Sequence, residues 1–106
     1  MASVEKLWRI FKHGSIMIDV HGDICLRNDI GNEKSDFCPT RDHILPKSRN
    51  GGSGVDNLSI CSKKTNRIKG DKTRWWYNGI CFSVQKTKNT HRIFKRDSEK
   101  KEWILA

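Results

Sequence analysis

The chain has 106 residues, 35% of them hydrophobic, with 21 Lys+Arg against 12 Asp+Glu for a net charge of +9. The length sets an expectation of one domain spanning 1–106, with a thin core and modest stability. No run approaches the roughly 20 apolar residues of a membrane span. The charged N-terminus lacks the apolar segment of a secretory signal, so a cytoplasmic setting with no membrane partner is expected.

Charge is unevenly spread: residues 1–53 carry net +1 and residues 54–106 carry net +8. A polyanion is the natural partner of such a surface, because neutralising phosphates releases their counterions. The four cysteines, Cys25, Cys38, Cys61 and Cys81, form no C-x-x-C pair. They read as buried free thiols, with a scattered zinc site or disulfides as the alternatives.

In chain order, Ser3 caps a helix whose stripe is Val4, Leu7, Trp8 and Phe11, with Gly14 as its stop. Ile16, Ile18 and Val20 alternate with Met17 and Asp19 and return after His21-Gly22-Asp23, which predicts a β-hairpin. Residues 28–36 are a polar loop. A strand within Phe37–Pro46, a glycine-bearing loop at 47–56, a strand around Leu58–Cys61 and a helix at 63–69, capped by Ser62 and ended by Gly70, come next. Asn78-Gly79 is a two-residue turn between β-rich arms. His91–Lys95 adds a strand, and Trp103-Ile104-Leu105 can anchor the tail. Of Trp75-Trp76-Tyr77, one indole is expected in the core and the other side chains half-exposed.

The informative stretch reads Asp42-His43-Ile44-Leu45-Pro46-Lys47-Ser48-Arg49-Asn50-Gly51-Gly52, then Asp56-Asn57-Leu58, then Asn66-Arg67-Ile68-Lys69-Gly70-Asp71. This stretch resembles that of HNH endonucleases, and the phosphodiester hydrolysis that the resemblance implies needs an activated water, stabilised transition-state charge and help for the leaving oxygen. A neutral imidazole takes a proton near pH 7, which suits His43. Hard oxygen ligands suit Mg²⁺ or Mn²⁺, which Asp42 and Asn66 offer. Adjacent strand residues point to opposite faces, so Asp42 and His43 can meet one phosphate only at a strand end or bulge. Lys63 and Lys64 sit at a helix start, where the dipole disfavours cations, so a phosphate contact explains them.

The HNH endonuclease family it resembles has a pattern that reads D-H-x-x-P-x-S, G-G, N-L and N-x-x-K-G. His43 to Asn57 spans 14 positions and Asn57 to Asn66 spans 9. Both separations are similar to those in RNA-guided CRISPR effectors and phage homing endonucleases. The likeness covers about residues 38–72. It implies an α+β fold: a ββα-metal core with an N-terminal helix and flanking hairpins.

It further implies a metal-dependent DNA endonuclease, a nickase or double-strand cutter, with RNA left open as the alternative to DNA. His43 would be the general base, and Asp42 and Asn66 the ligands of Mg²⁺ or Mn²⁺. Asn57 would tie back the glycine loop and hydrogen-bond the His43 imidazole. Arg49, Lys63, Lys64, Arg67 and Lys69 would hold the nucleic-acid backbone. Gly51, Gly52 and Gly54 would supply positive φ and close approach. A monomer or homodimer of phage or mobile-element origin would fit.

Many family members carry two C-x-x-C pairs around a structural zinc. Here Ser62 and Thr65 stand at the second pair and only Cys38 stands shortly before Asp42. A structural Zn²⁺ is therefore not expected, although Cys38 and Cys61 could form a variant site. The alternatives are an inactive HNH-like nucleic-acid-binding module and a protein-binding role. His13, His21 and His91 lie outside the motif and are assigned no role.

Overall fold

The computed structural model describes residues 1–106, in an α+β architecture with antiparallel sheets. Helix α1 (Val4–Ile10) starts where Ser3 Oγ accepts the Lys6 amide. It buries Leu7 and Trp8, and the Trp8 indole donates to the Gly14 carbonyl at 2.6 Å. Strands β1 (Ile16–Ile18) and β2 (Ile24–Leu26) form the first hairpin, with Met17 opposite Cys25. These two join Leu7, Trp8, Leu58 and Ile60 in one core cluster.

The facing of that hairpin departs from the apolar alternation. Ile16 and Ile18 are exposed, while Met17 and Asp19 point inward. Asp19 tolerates burial because both its oxygens are filled. Oδ1 accepts the amides of His21 and Asp23, and Oδ2 accepts the Ser62 amide and the Thr65 hydroxyl.

Strands β3 (Pro39–His43) and β4 (Leu58–Ser62) pair antiparallel, Asp42 opposite Ser59 and His43 opposite Leu58. Helix α2 (Lys63–Lys69) follows at once. Ser62 caps it by accepting the Thr65 amide, and Gly70, at φ 52°, ends it. A seven-residue helix has no standing stability in water, so tertiary contacts hold it. In the 44–57 loop the expectation of positive φ at the glycines fails. The left-handed residue is Asn50. Gly51 is needed for closeness instead, since a Cβ there would collide with the Leu45 carbonyl. Gly52 and Gly54 have room or only the movable Asp56 side chain beside them.

The C-terminal half is larger than two arms. Strands β5 (Arg74–Tyr77), β6 (Ile80–Lys86), β7 (His91–Asp97) and β8 (Ile104–Leu105) make a four-stranded sheet in that order. Asn78 and Gly79 both take positive φ, as the tight β5–β6 turn demands. Trp75, Tyr77, Phe82 and Ile93 form the second core cluster. Tyr77 is thus buried rather than half-exposed, with its hydroxyl donating to Asp23. All four cysteines are buried and free. No helix is long and apolar enough to cross a membrane.

Candidate functional site

His43 is the last residue of β3, which frees it from strict alternation with buried Asp42. Asp42, His43 and Asn66 line one shallow cavity of about 290 Å³, with Arg41, Lys47, Ser48, Gly70 and Asp71 around them. Residues more than twenty positions apart are brought to one rim by the β3–β4 pairing and by α2 packing across it.

Each side chain is held differently. Asn66 is oriented by its amide, which donates to Thr40 Oγ1 at 2.9 Å and to the Arg41 carbonyl at 3.1 Å. Its Oδ1 makes no hydrogen bond within the chain and remains a hard oxygen donor. His43 Nε2 is buried without a partner. Burial, helped by Lys47 and Arg41 against the opposing pull of Asp42, lowers the His43 pKa below its ordinary value. The imidazole is therefore neutral at pH 7 and able to take a proton.

Asp42 is not a simple open ligand. Its Oδ1 receives the Lys69 ammonium at 3.1 Å, and its Oδ2 receives the Ser59 hydroxyl at a weak 3.4 Å. Burial pushes the Asp42 carboxyl up, and Lys69 opposes that.

Two expectations need correction. The likeness puts Lys69 among the backbone-binding cations, but it is fully buried, with its ammonium on Asp42 and on the His43 carbonyl. A buried carboxylate on β3 demands a cation, and α2 delivers it. Asn57 does not touch the His43 imidazole. Its Oδ1 accepts the Leu45 amide and its Nδ2 donates to the carbonyls of Leu45 and Gly52, so it pins the loop after His43.

The other cations divide between two places. Lys63, Lys64 and Arg67 line a separate basin with Glu33, Lys34, Ser35 and Asp36. Lys63 also donates to the Glu33 carbonyl, and Lys64 lies over the Tyr77 ring. Exposed Arg49 donates to the Asp71 carbonyl, bridging the loop to the segment after α2. Besides Lys69, which bonds the His43 carbonyl, the cations that line the His43 cavity are Arg41 and Lys47, which sequence reasoning passes over. Their adjacency to Asp42-His43 and Pro46 is the available signal.

A second cluster escapes the motif entirely. His21 has a fully buried side chain, and its Nε2 accepts the Trp75 indole N–H at 2.9 Å. Asp19, His21 and Cys61 place ligand atoms within 4.8 Å of one another, as a metal could require. Asp19 and the Nε2 side of His21 are already engaged, whereas His21 Nδ1 is buried without a hydrogen-bond partner. An indole N–H only donates, so Nε2 is unprotonated and the neutral ring carries its proton on Nδ1, 3.7 Å from Asp19 Oδ1. Asp19 already accepts four hydrogen bonds, and burial pushes the Cys61 thiol well above its ordinary pKa.

Residues 29–75 match the model of the HNH endonuclease family. No curated protein and no solved structure matches the chain.

Proposed function

We propose that this protein is a metal-dependent DNA endonuclease, from the match of residues 29–75 to the model of the HNH endonuclease family, whose substrates are nucleic acids and whose nucleases generally use a divalent metal. One observation carries the reading: Asp42, His43 and Asn66, drawn from β3 and α2, line a single open cavity.

The donor set suits a hard cation. Asn66 Oδ1 is free and held in direction, and Asp42 Oδ2 has only the long Ser59 contact. Asp42 and Asn66 would hold Mg²⁺ or Mn²⁺, whose chemistry is to offset charge on the phosphate and the leaving oxygen.

The chain supplies the other steps. His43, neutral at pH 7, takes the proton of the attacking water. Asn57 fixes the Leu45 backbone just beyond His43 and so holds the loop in place. Lys47 and Arg41 attract the phosphate to the rim. Arg49, Lys63, Lys64 and Arg67 are outlying backbone contacts. One such site cuts one strand, so nicking precedes any double-strand break.

The test is conversion of supercoiled plasmid to the open circle with Mg²⁺ or Mn²⁺. Purified protein should nick it, and His43→Ala should lose at least a hundredfold in rate, the scale of general-base catalysis. Equal cutting by His43→Ala, or no cutting by the parent with either metal, overturns the reading.

A further inference from the structure

Residues directly opposite one another in an antiparallel sheet share a face. In the β5–β8 sheet, Trp75, Tyr77, Phe82 and Ile93 make the inner face. The register therefore puts Arg74, Ser83, Phe94 and Leu105 in one outer row, Trp76, the buried Cys81 and Arg96 in the next, and Gln85 with Arg92 in a third. No carboxylate shares these rows. None of the three arginines has an ion-pair partner anywhere in the chain.

Their arrangement is ordered nonetheless. Trp103, just before β8, lies against both guanidiniums, 5.2 Å from Arg74 and 4.7 Å from Arg96. Cation–π contact fixes these groups while leaving their donor edges open. Beside them Trp76 is 55% exposed, an indole the core does not use. Like charges held close on one face, with no acid to offset them, invite an external polyanion. An exposed indole among them suits an unstacked base.

The position ties this face to the cavity. β5 is an edge strand, and Gly70 and Asp71, which line the His43 cavity, lie only a few residues before Arg74. The outer face itself turns away from α2, because inner-face Trp75 packs over Lys69. A polymer engaging both would pass over the β5 edge.

We infer that the outer face of the β5–β8 sheet, through Arg74, Trp76, Arg92 and Arg96, binds an unpaired stretch of the nucleic acid, with phosphates on the arginines and a base on the Trp76 indole. The link to strand cleavage rests on the nuclease reading; the binding does not.

The experiment measures affinity for a fluorescent 20-nucleotide single strand and for its duplex by anisotropy, in EDTA, across a salt series. The triple variant Arg74→Gln/Arg92→Gln/Arg96→Gln should flatten the dependence of log Kd on log salt by about 2 for the single strand, at roughly 0.7 for each phosphate no longer neutralised. The charge-matched control Lys6→Gln/Arg9→Gln/Lys12→Gln, on and just beyond α1, should leave the slope within error of the parent. Trp76→Ala should weaken single-strand binding roughly tenfold and duplex binding little, with Trp76→Phe recovering part of the affinity. Equal slopes for the two triple variants, or an equal weakening on single strand and duplex for Trp76→Ala, overturn the inference. Because EDTA removes any need for cleavage, a plasmid that stays uncut sinks only the nuclease reading.

Discussion

Lys69 shows what one buried charge does to its surroundings. Its ammonium has no exposure, and its partners are Asp42 Oδ1, the His43 carbonyl and the face of Trp75. Removing one partner of a buried pair strands the other, at a cost of about 3–5 kcal/mol. Lys69→Met should therefore lose a large part of the stability of so small a chain, read as the midpoint of urea unfolding. Lys64→Met, on the exposed side of the same helix, should unfold at the parent's midpoint. If the two variants unfold together, the Asp42–Lys69 pair is not the link between α2 and β3 that the geometry makes it. The N-x-x-K spacing puts Asn66 and Lys69 on one face of the helix correctly. It cannot say which way that face turns, because the burial of Asp42, contributed by a strand far away in sequence, decides it.

At the scale of elements, α2 is held by the first hairpin. Asp19 reaches from the end of that hairpin to the Ser62 amide and the Thr65 hydroxyl, and Asp23 accepts from the Ser62 hydroxyl. Ser62 and Thr65 stand where the HNH likeness would put a second cysteine pair. The Asp19 carboxylate ties both residues to the first hairpin. Burial works to raise the Asp19 pKa, but hydrogen bonds from His21, Ser62, Thr65 and Asp23 prevail and hold it below the ordinary carboxylate value. A depressed carboxyl contributes stability that is full above its unfolded pKa, near 3.8, and is lost as pH falls through the folded value. Stability should thus drop as pH descends below about 4. Asp19→Asn should cost roughly 2–3 kcal/mol at pH 7 and flatten that acid limb. An acid limb as steep in Asp19→Asn as in the parent would show that other carboxylates carry it. The elements themselves are legible: Ser3, Ser62, Gly70 and Asn78-Gly79 mark their ends by local chemistry. The facing of β1 is not, because Asp19 is inward for the sake of partners more than forty residues away.

Across the whole molecule, the segment that carries the HNH likeness is not the segment that carries the core. Within 29–75 the first core cluster has only Leu58 and Ile60; Leu7, Trp8, Met17 and Cys25 come from before it. The second cluster has only Trp75 inside the segment, with Tyr77, Phe82 and Ile93 beyond it. Asp19, which anchors α2, is also outside. A peptide of residues 29–75 should therefore be unfolded, with a random-coil far-UV circular dichroism spectrum and poorly dispersed amide resonances, whereas the 106-residue chain unfolds cooperatively. Adding Zn²⁺ should not rescue the peptide, because Ser62 and Thr65 offer no thiolates to replace the missing packing. A peptide that folds alone, or folds on adding zinc, would mean that the flanking helix, hairpin and sheet are appendages rather than the scaffold of the site. The motif is readable within 29–75 because its chemistry is local in sequence. What holds it in shape is not, because the supporting contacts come from both ends of the chain.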